Sequence, residues 1–184
     1  VIGTSDETLH TFAVYNARTA SPEFGPIFDA SGSNASIQLY SIYTGASNNQ
    51  TIFRFRDLFG IKTITKTSTD GSKNLATALF EDSTNIGYFG IDGETPSSKN
   101  GFSLRRTSNL WGIGASYNAV TGRSFDGTIS ELIIYDTDQS DNRFKIESNL
   151  NNYYGIYTAA EDGFVETWYD QSGNGNHATQ LVAA

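Results

Sequence analysis

Cysteine is absent from the 184 residues, which excludes a disulfide framework and any thiolate metal site. Methionine is absent too, even at position 1, so the chain is expected to begin after processing or to be a piece of a longer protein. No apolar run approaches the roughly 20 residues that a membrane-spanning helix needs, and no signal-peptide pattern is visible. Charge is sparse: Asp, Glu, Lys and Arg make up 17% of the chain, with a net charge of -8. Phosphate recognition needs clustered Lys and Arg. Here the basic residues are scattered, which argues against a nucleic-acid partner, and the acidity argues against an anionic membrane surface. His10 and His177 are the only histidines and stand far apart. With no G-x-S-x-G sequence beside either, a hydrolase triad has no foundation, and both read as structural or exposed.

What the chain does have is glycine, tyrosine and phenylalanine: 18, 10 and 12 residues. They fall in short alternating stretches separated by turn chemistry. Leu9–Tyr15, Ile37–Tyr43, Thr51–Arg56 and Ile61–Thr67 read as strands, and Ile27-Phe28 starts another. Asn74–Phe80 suits helix or strand locally and is placed as a strand by its position in the array. Ile86–Ile91 follows, then Asp92-Gly93 as a hairpin signal, then Phe102–Arg105 and Leu110–Ser116. Strand signals at this regular spacing are the cadence of a sandwich. A parallel α/β fold would need helices between them.

The stretch from Phe125 to Tyr157 organises the rest. Asp126-Gly127 reads as a turn. Ile129, Glu131, Ile133 and Tyr135 then alternate with their neighbours as one face of a strand. The period changes afterwards: Ile146, Leu150, Tyr153 and Tyr154 fall on one stripe of a helix over about 140–154. Ser140 or Asp138 is placed to cap its start, Asp141 lies in its first turn, and Gly155 is placed to stop it.

This run, FDGTISELIIYD followed by a short polar helix ending in NNYYGIY, resembles the C-terminal signature of laminin-G-like, concanavalin-A-like domains of phage and bacterial surface proteins. The resemblance implies an all-β jelly-roll sandwich of two antiparallel sheets with one short helix. It covers residues 1–157 and is not specific for one function. Residues 158–184 are expected to form a linker and a strand-forming tail. The tail string VETWYDQSGNGNHATQ is similar to a segment on the N-terminal side of such domains, and to one early in the catalytic domain of arabinofuranosidases. Here it stands after the C-terminal signature. A circularly shifted unit, a cut from a tandem array and a subunit whose tail completes a neighbour all remain open.

Two site expectations follow from the tail. Phe164, Trp168 and Tyr169 form an apolar extended segment that could add to a neighbour's sheet or fold back on its own sandwich. Asp170, Ser172 and Asn174 place oxygen ligands at alternate positions, like the first half of a calcium loop. Leu181 stands where a bidentate Glu would close such a loop, and the competing reading is an Asx/Gly turn. No cofactor is expected apart from that calcium ion. Catalysis is not expected, since glycoside hydrolysis needs two carboxylates about 5–10 Å apart across a cleft and no E-x-D-x-E type strand is present.

The function expected from sequence is a non-enzymatic structural or adhesive module of an extracellular fibre, appendage or virion, self-associating through strand edges and its tail. The alternative is a carbohydrate-binding, lectin-like module that takes surface glycans. A glycoside hydrolase-related domain comes third.

Overall fold

The computed structural model describes residues 8–18, 25–31, 38–44, 49–57, 60–81, 83–84, 86–100, 111–115, 124–158, 167–168 and 178–179. Two five-stranded antiparallel sheets stack face to face. The first has β1 (Leu9–Ala17) near its centre, flanked by β10 (Gly127–Tyr135) and by β6 (Lys73–Glu81). It continues through β7 (Ile86–Ile91) to β8 (Ser97–Asn100). The second runs β5 (Gly60–Thr67), β4 (Gln50–Asp57), β3 (Gln38–Thr44), β2 (Gly25–Ser31), β9 (Gly112–Ile113). One helix, α1 (Arg143–Tyr154), lies on the outer face of the first sheet, where Leu150 packs with Phe12, Val14 and Leu75. The two-residue strands β11 (Thr167–Trp168) and β12 (Ala178–Thr179) pair with each other, apart from both large sheets. This is the expected all-β jelly roll, with a single helix among the described residues.

Alternation explains the layers. The odd residues of β1, Leu9, Ala13, Tyr15 and Ala17, face the inter-sheet core with Ala76, Ala78, Phe80, Phe89 and Ile91. Ile27, Phe28, Ile42, Phe53 and Ile64 meet them from the second sheet. The Phe53 and Phe89 rings, 5.8 Å apart, and a hydrogen bond between the Tyr15 and Thr51 hydroxyls join the layers. The even residues Phe12 and Val14 are equally buried, but under α1. A strand covered on both faces reads as a nearly continuous apolar run, which LHTFAVY is.

In β10 the structure departs from the alternation read along the strand. Val14 faces Glu131 and Tyr15 faces Ile129, so Ser130 is an extra residue in the ladder, a β-bulge. Ile129 therefore packs on the inter-sheet core, as do Leu132 and Ile134, while Ile133 and Tyr135 turn outward to the helix. A one-residue insertion reverses the facing of everything after it.

Three further differences have simple causes. The helix begins at Arg143 with Asn142 as its N-cap and without a side-chain capping bond. Asp138 instead takes the Ser140 N–H and hydroxyl, at 2.8 and 2.6 Å, forming a turn before the helix. The strand expected over Leu110–Ser116 is only Gly112–Ile113 among the described residues. The polar edge strand Ser97–Asn100 lacks the apolar alternation that marks a strand and was not expected; the strand expected at Phe102–Arg105 lies outside the described residues. The C-terminal end of the helix is as expected, with Gly155 left-handed at φ 61.

Gly127 was expected as a turn residue. It is instead the first residue of β10, at a close approach: a Cβ built there would stand 2.2 Å from the Asn16 carbonyl oxygen and 2.7 Å from the Phe125 ring. Gly127→Ala should therefore push β10 off β1 and destabilise the fold by about 1–3 kcal/mol, the usual cost of overpacking. Thermal unfolding of the variant checks this, and an unchanged midpoint would mean that the strand end has room.

Candidate functional site

Pairing across the first sheet sets its outer face in rows. Tyr135, His10, Leu79, Tyr88 and Ser98 stand side by side in one row. Ile133, Phe12, Thr77 and Gly90 make the next, and Glu131, Val14 and Leu75 the third. Ile146, Leu150 and Tyr154 of α1 seat the helix on the second and third rows and on Tyr135. Among the described residues, two hollows flank the helix.

The larger is an open groove of about 390 Å³ between α1 and the edge strand β10. It is lined by Glu131, Ile133, Tyr135, Asn149, Tyr153 and Tyr154, among others. Tyr153 is 79% exposed and meets Tyr154 edge-on, with ring centroids 4.8 Å apart. The Tyr154 hydroxyl donates to the Ser130 carbonyl at 3.4 Å, so the bulge in β10 helps to fix this ring. The groove thus offers phenol rings, one amide and one carboxylate. Glu131 is the one acid in the lining among the described residues.

The smaller hollow, about 270 Å³, lies at the start of the helix. His10, Thr77, Leu79, Tyr88, Pro96, Ser140 and Arg143 line it. His10 is 1% exposed and stacks on Phe12 with ring centroids 4.6 Å apart. Its Nδ1 accepts the Gln139 N–H at 3.1 Å, and its Nε2 has no partner among the described residues. Burial drives the His10 pKa down to about 4, against the pull of Asp138 at 3.8 Å and helped by Arg143. Behind it, Glu147 accepts the Thr77 hydroxyl at 2.7 Å and Arg143 at 2.8 and 3.0 Å.

The far end of the helix is fastened by Asn151. Its Oδ1 accepts the Ile156 and Tyr157 N–H groups at 3.0 and 2.9 Å, and its amide donates to the Tyr157 carbonyl at 2.9 Å. Tyr157 then lies over Gly93, where a Cβ would stand 2.7 Å from the ring. Neighbouring Asp92 takes the Leu75 N–H at 2.7 Å, and burial lifts its pKa to about 6.

The sequence-based site residues fall elsewhere. Trp168 sits in β11, whose partner is β12. Phe164, Tyr169, Asp170, Ser172 and Asn174 lie outside the described residues. Among the described residues no group of three His, Asp or Glu side chains is placed to hold a metal ion. Trp111, expected in the core, packs edge-on against Phe28 with centroids 5.3 Å apart. The His10 hollow was missed. The signal for it was present in the chain: His10 shares its strand face with Phe12 and Val14, and Arg143 and Glu147 are four apart on one helix.

No protein-family profile and no curated protein sequence matches this chain. Solved structures do. A carbohydrate-binding module, the CBM40 of a Ruminococcus gnavus trans-sialidase bound to α2,6-sialyllactose, is 12% identical, with a TM-score of 0.62 over 78% of this chain and 84% of that one. The leech intramolecular trans-sialidase is 14% identical, with a TM-score of 0.61 over 87% of this chain and 25% of that enzyme. Domains LG4-5 of the mouse laminin α1 chain are 16% identical, with a TM-score of 0.54 over 72% of this chain and 36% of theirs. Likeness at such low identity speaks for architecture: the fold is that of the concanavalin-A-like, laminin-G-like jelly rolls.

Proposed function

We propose that this chain is a non-catalytic carbohydrate-binding module that works outside the cell or at its surface, and that its sugar site is the groove between α1 and β10. The observation that carries the reading is the tyrosine-lined groove on a fold shared with a sialyllactose-bound module. Phenol rings offer flat apolar surface with a polar tip. Asn149 and Glu131 supply polar groups that orient a ligand beside those rings. The net charge of -8 and Glu131 itself favour neutral sugars over acidic ones. The fibre and virion reading has no comparable support, because the neighbours include a carbohydrate-binding module. A glycan array is the test. Binding to neutral glycans, lost in Tyr153→Ala together with Asn149→Ala, is expected. A protein that binds no glycan at all, or only acidic ones, would defeat the proposal.

A further inference from the structure

The open groove between α1 and β10 has a charge preference of its own, and naming it rests on the carbohydrate reading of that same groove. We propose that its preferred ligand is a cationic amino sugar, a hexosamine whose amine is free rather than acetylated, with the ammonium group seated between Glu131 and the tyrosine rings.

The lining carries charge of one sign. Glu131 is its carboxylate, and no Lys, Arg or His lines the groove among the described residues. Glu131 stands in a row with Val14 and Leu75, so its neighbours across the sheet are apolar. The Tyr154 hydroxyl reaches the carboxylate, but a phenol brings no counter-charge. None of the ion pairs among the described residues includes Glu131. A carboxylate only accepts, so the group that satisfies it must donate. An ammonium brings three donors together with the missing charge.

The rings favour the same group, because aromatic faces attract cations through their quadrupole. The fold already uses this attraction: Lys73 Nζ lies 5.3 Å from the Tyr154 ring centroid. Lys73 does not line the groove, and neither does Lys145, which is exposed one turn before Asn149. Tyr153 is 79% exposed and within reach of a ligand from solvent. Asn149, Tyr153 and Tyr154 belong to the C-terminal half of α1, where the aligned peptide dipoles end negative. No basic residue stands in the last turn to answer them.

A sugar presents such an amine well. The apolar side of its ring can lie on a phenol ring, and the Asn149 amide both donates to and accepts from hydroxyls. The volume of about 390 Å³ lies within the roughly 300–1,000 Å³ of small-ligand sites. Acetylation of the amine would remove the charge, and an acidic sugar would set like charge against Glu131.

Isothermal titration at pH 6 and low salt, where the amine is protonated, compares the glucosamine trimer with its fully N-acetylated form. The free-amine trimer is expected to bind at least ten-fold more tightly. Added salt should shrink that ratio, and Glu131→Gln should bring it close to one. Asp141→Asn removes the same charge before the other end of the helix and should leave the ratio unchanged. Thermal unfolding checks that both variants fold. Equal binding of the two trimers, or no binding of the free-amine trimer, would overturn the proposal. So would a ratio that survives Glu131→Gln: the net charge of -8 would then attract amines at large, with Glu131 only guarding the sheet edge. A lysine trimer that binds in the groove as tightly as the amino sugar would overturn it too, by making the site one for basic peptides. The two readings fail separately. Tyr153-dependent binding of neutral glycans without any preference for the amine leaves the groove a sugar site, whereas no glycan binding in any form ends both.

Discussion

Arg143→Leu is expected to lower the free energy of unfolding by about 3–5 kcal/mol, the usual cost of leaving one member of a buried ion pair alone. Glu147 is 3% exposed. Its carboxylate is held by the Arg143 guanidinium at 2.8 Å and by the Thr77 hydroxyl at 2.7 Å. Without Arg143, a carboxylate with one neutral hydrogen bond remains under the helix, and a buried charge so poorly paired is costly. The reverse substitution, Glu147→Leu, should cost less. The arginine side chain is a quarter exposed and can turn its charge to water. The double variant should recover most of the loss, because apolar residues can replace a buried pair at little net cost. In a chain of this size, the single variant would melt roughly 10 °C lower. Chemical denaturation of the three variants decides the matter. Equal, small losses in both singles would mean that water reaches Glu147 freely and that the pair is an ordinary surface contact, worth at most about 1 kcal/mol.

The sandwich was legible in the sequence because strand alternation is a local property. Leu9–Tyr15 and Asn74–Phe80 form the strands expected of them, and the latter does so although Ala and Leu favour helix. Ala76 and Ala78 lie in the inter-sheet core beside β1, where small side chains leave room for Tyr15 and Phe80. The helix was legible by its stripe, three members of which are in contact with the sheet. Its N-terminus was not, since Asp138 and Ser140 satisfy each other in a turn instead of capping.

The groove left no mark in the sequence, and the hollow only a scattered one, for a different reason. Both are made by seating α1 on rows of side chains drawn from strands distant in sequence. His10, Tyr88 and Arg143 share a cavity only because β1, β6 and β7 are neighbours in the sheet. The bulge at Ser130 decides that Ile133 and Tyr135, and not their neighbours, line the groove. Nothing in the periodicity of β10 marks that inserted residue.

The two titrating groups on this face should give the fold a pH dependence with two opposing limbs. His10 has a folded pKa of about 4 against 6.5 when unfolded. The unfolded chain therefore binds the extra proton first as pH falls, and stability drops from about pH 6.5 down through pH 4. At about 1.4 kcal/mol for each pKa unit, the full loss is on the order of 3 kcal/mol. The groups that face the ring are Asp138, which opposes the loss, and Arg143, which deepens it. Asp92 works the other way. Its folded pKa of about 6 lies above its ordinary 3.8, so the stability it lends is complete below pH 3.8 and is lost as pH rises through 6. His10→Gln should therefore uncover the Asp92 limb, so that the variant gains stability as pH falls from 6 to 4, and leave the neutral region alone. Asp92→Asn keeps an acceptor for the Leu75 N–H and suits the positive φ of 51 at this position. It should be at least as stable as the parent above pH 6 and lose its advantage below pH 4. Unfolding free energies between pH 3.5 and 8 separate the limbs. A parent whose stability rises steadily on acidification through pH 5 to 4, with no change in His10→Gln, would show that the imidazole is charged in the folded state and that its Nε2 has found an acceptor.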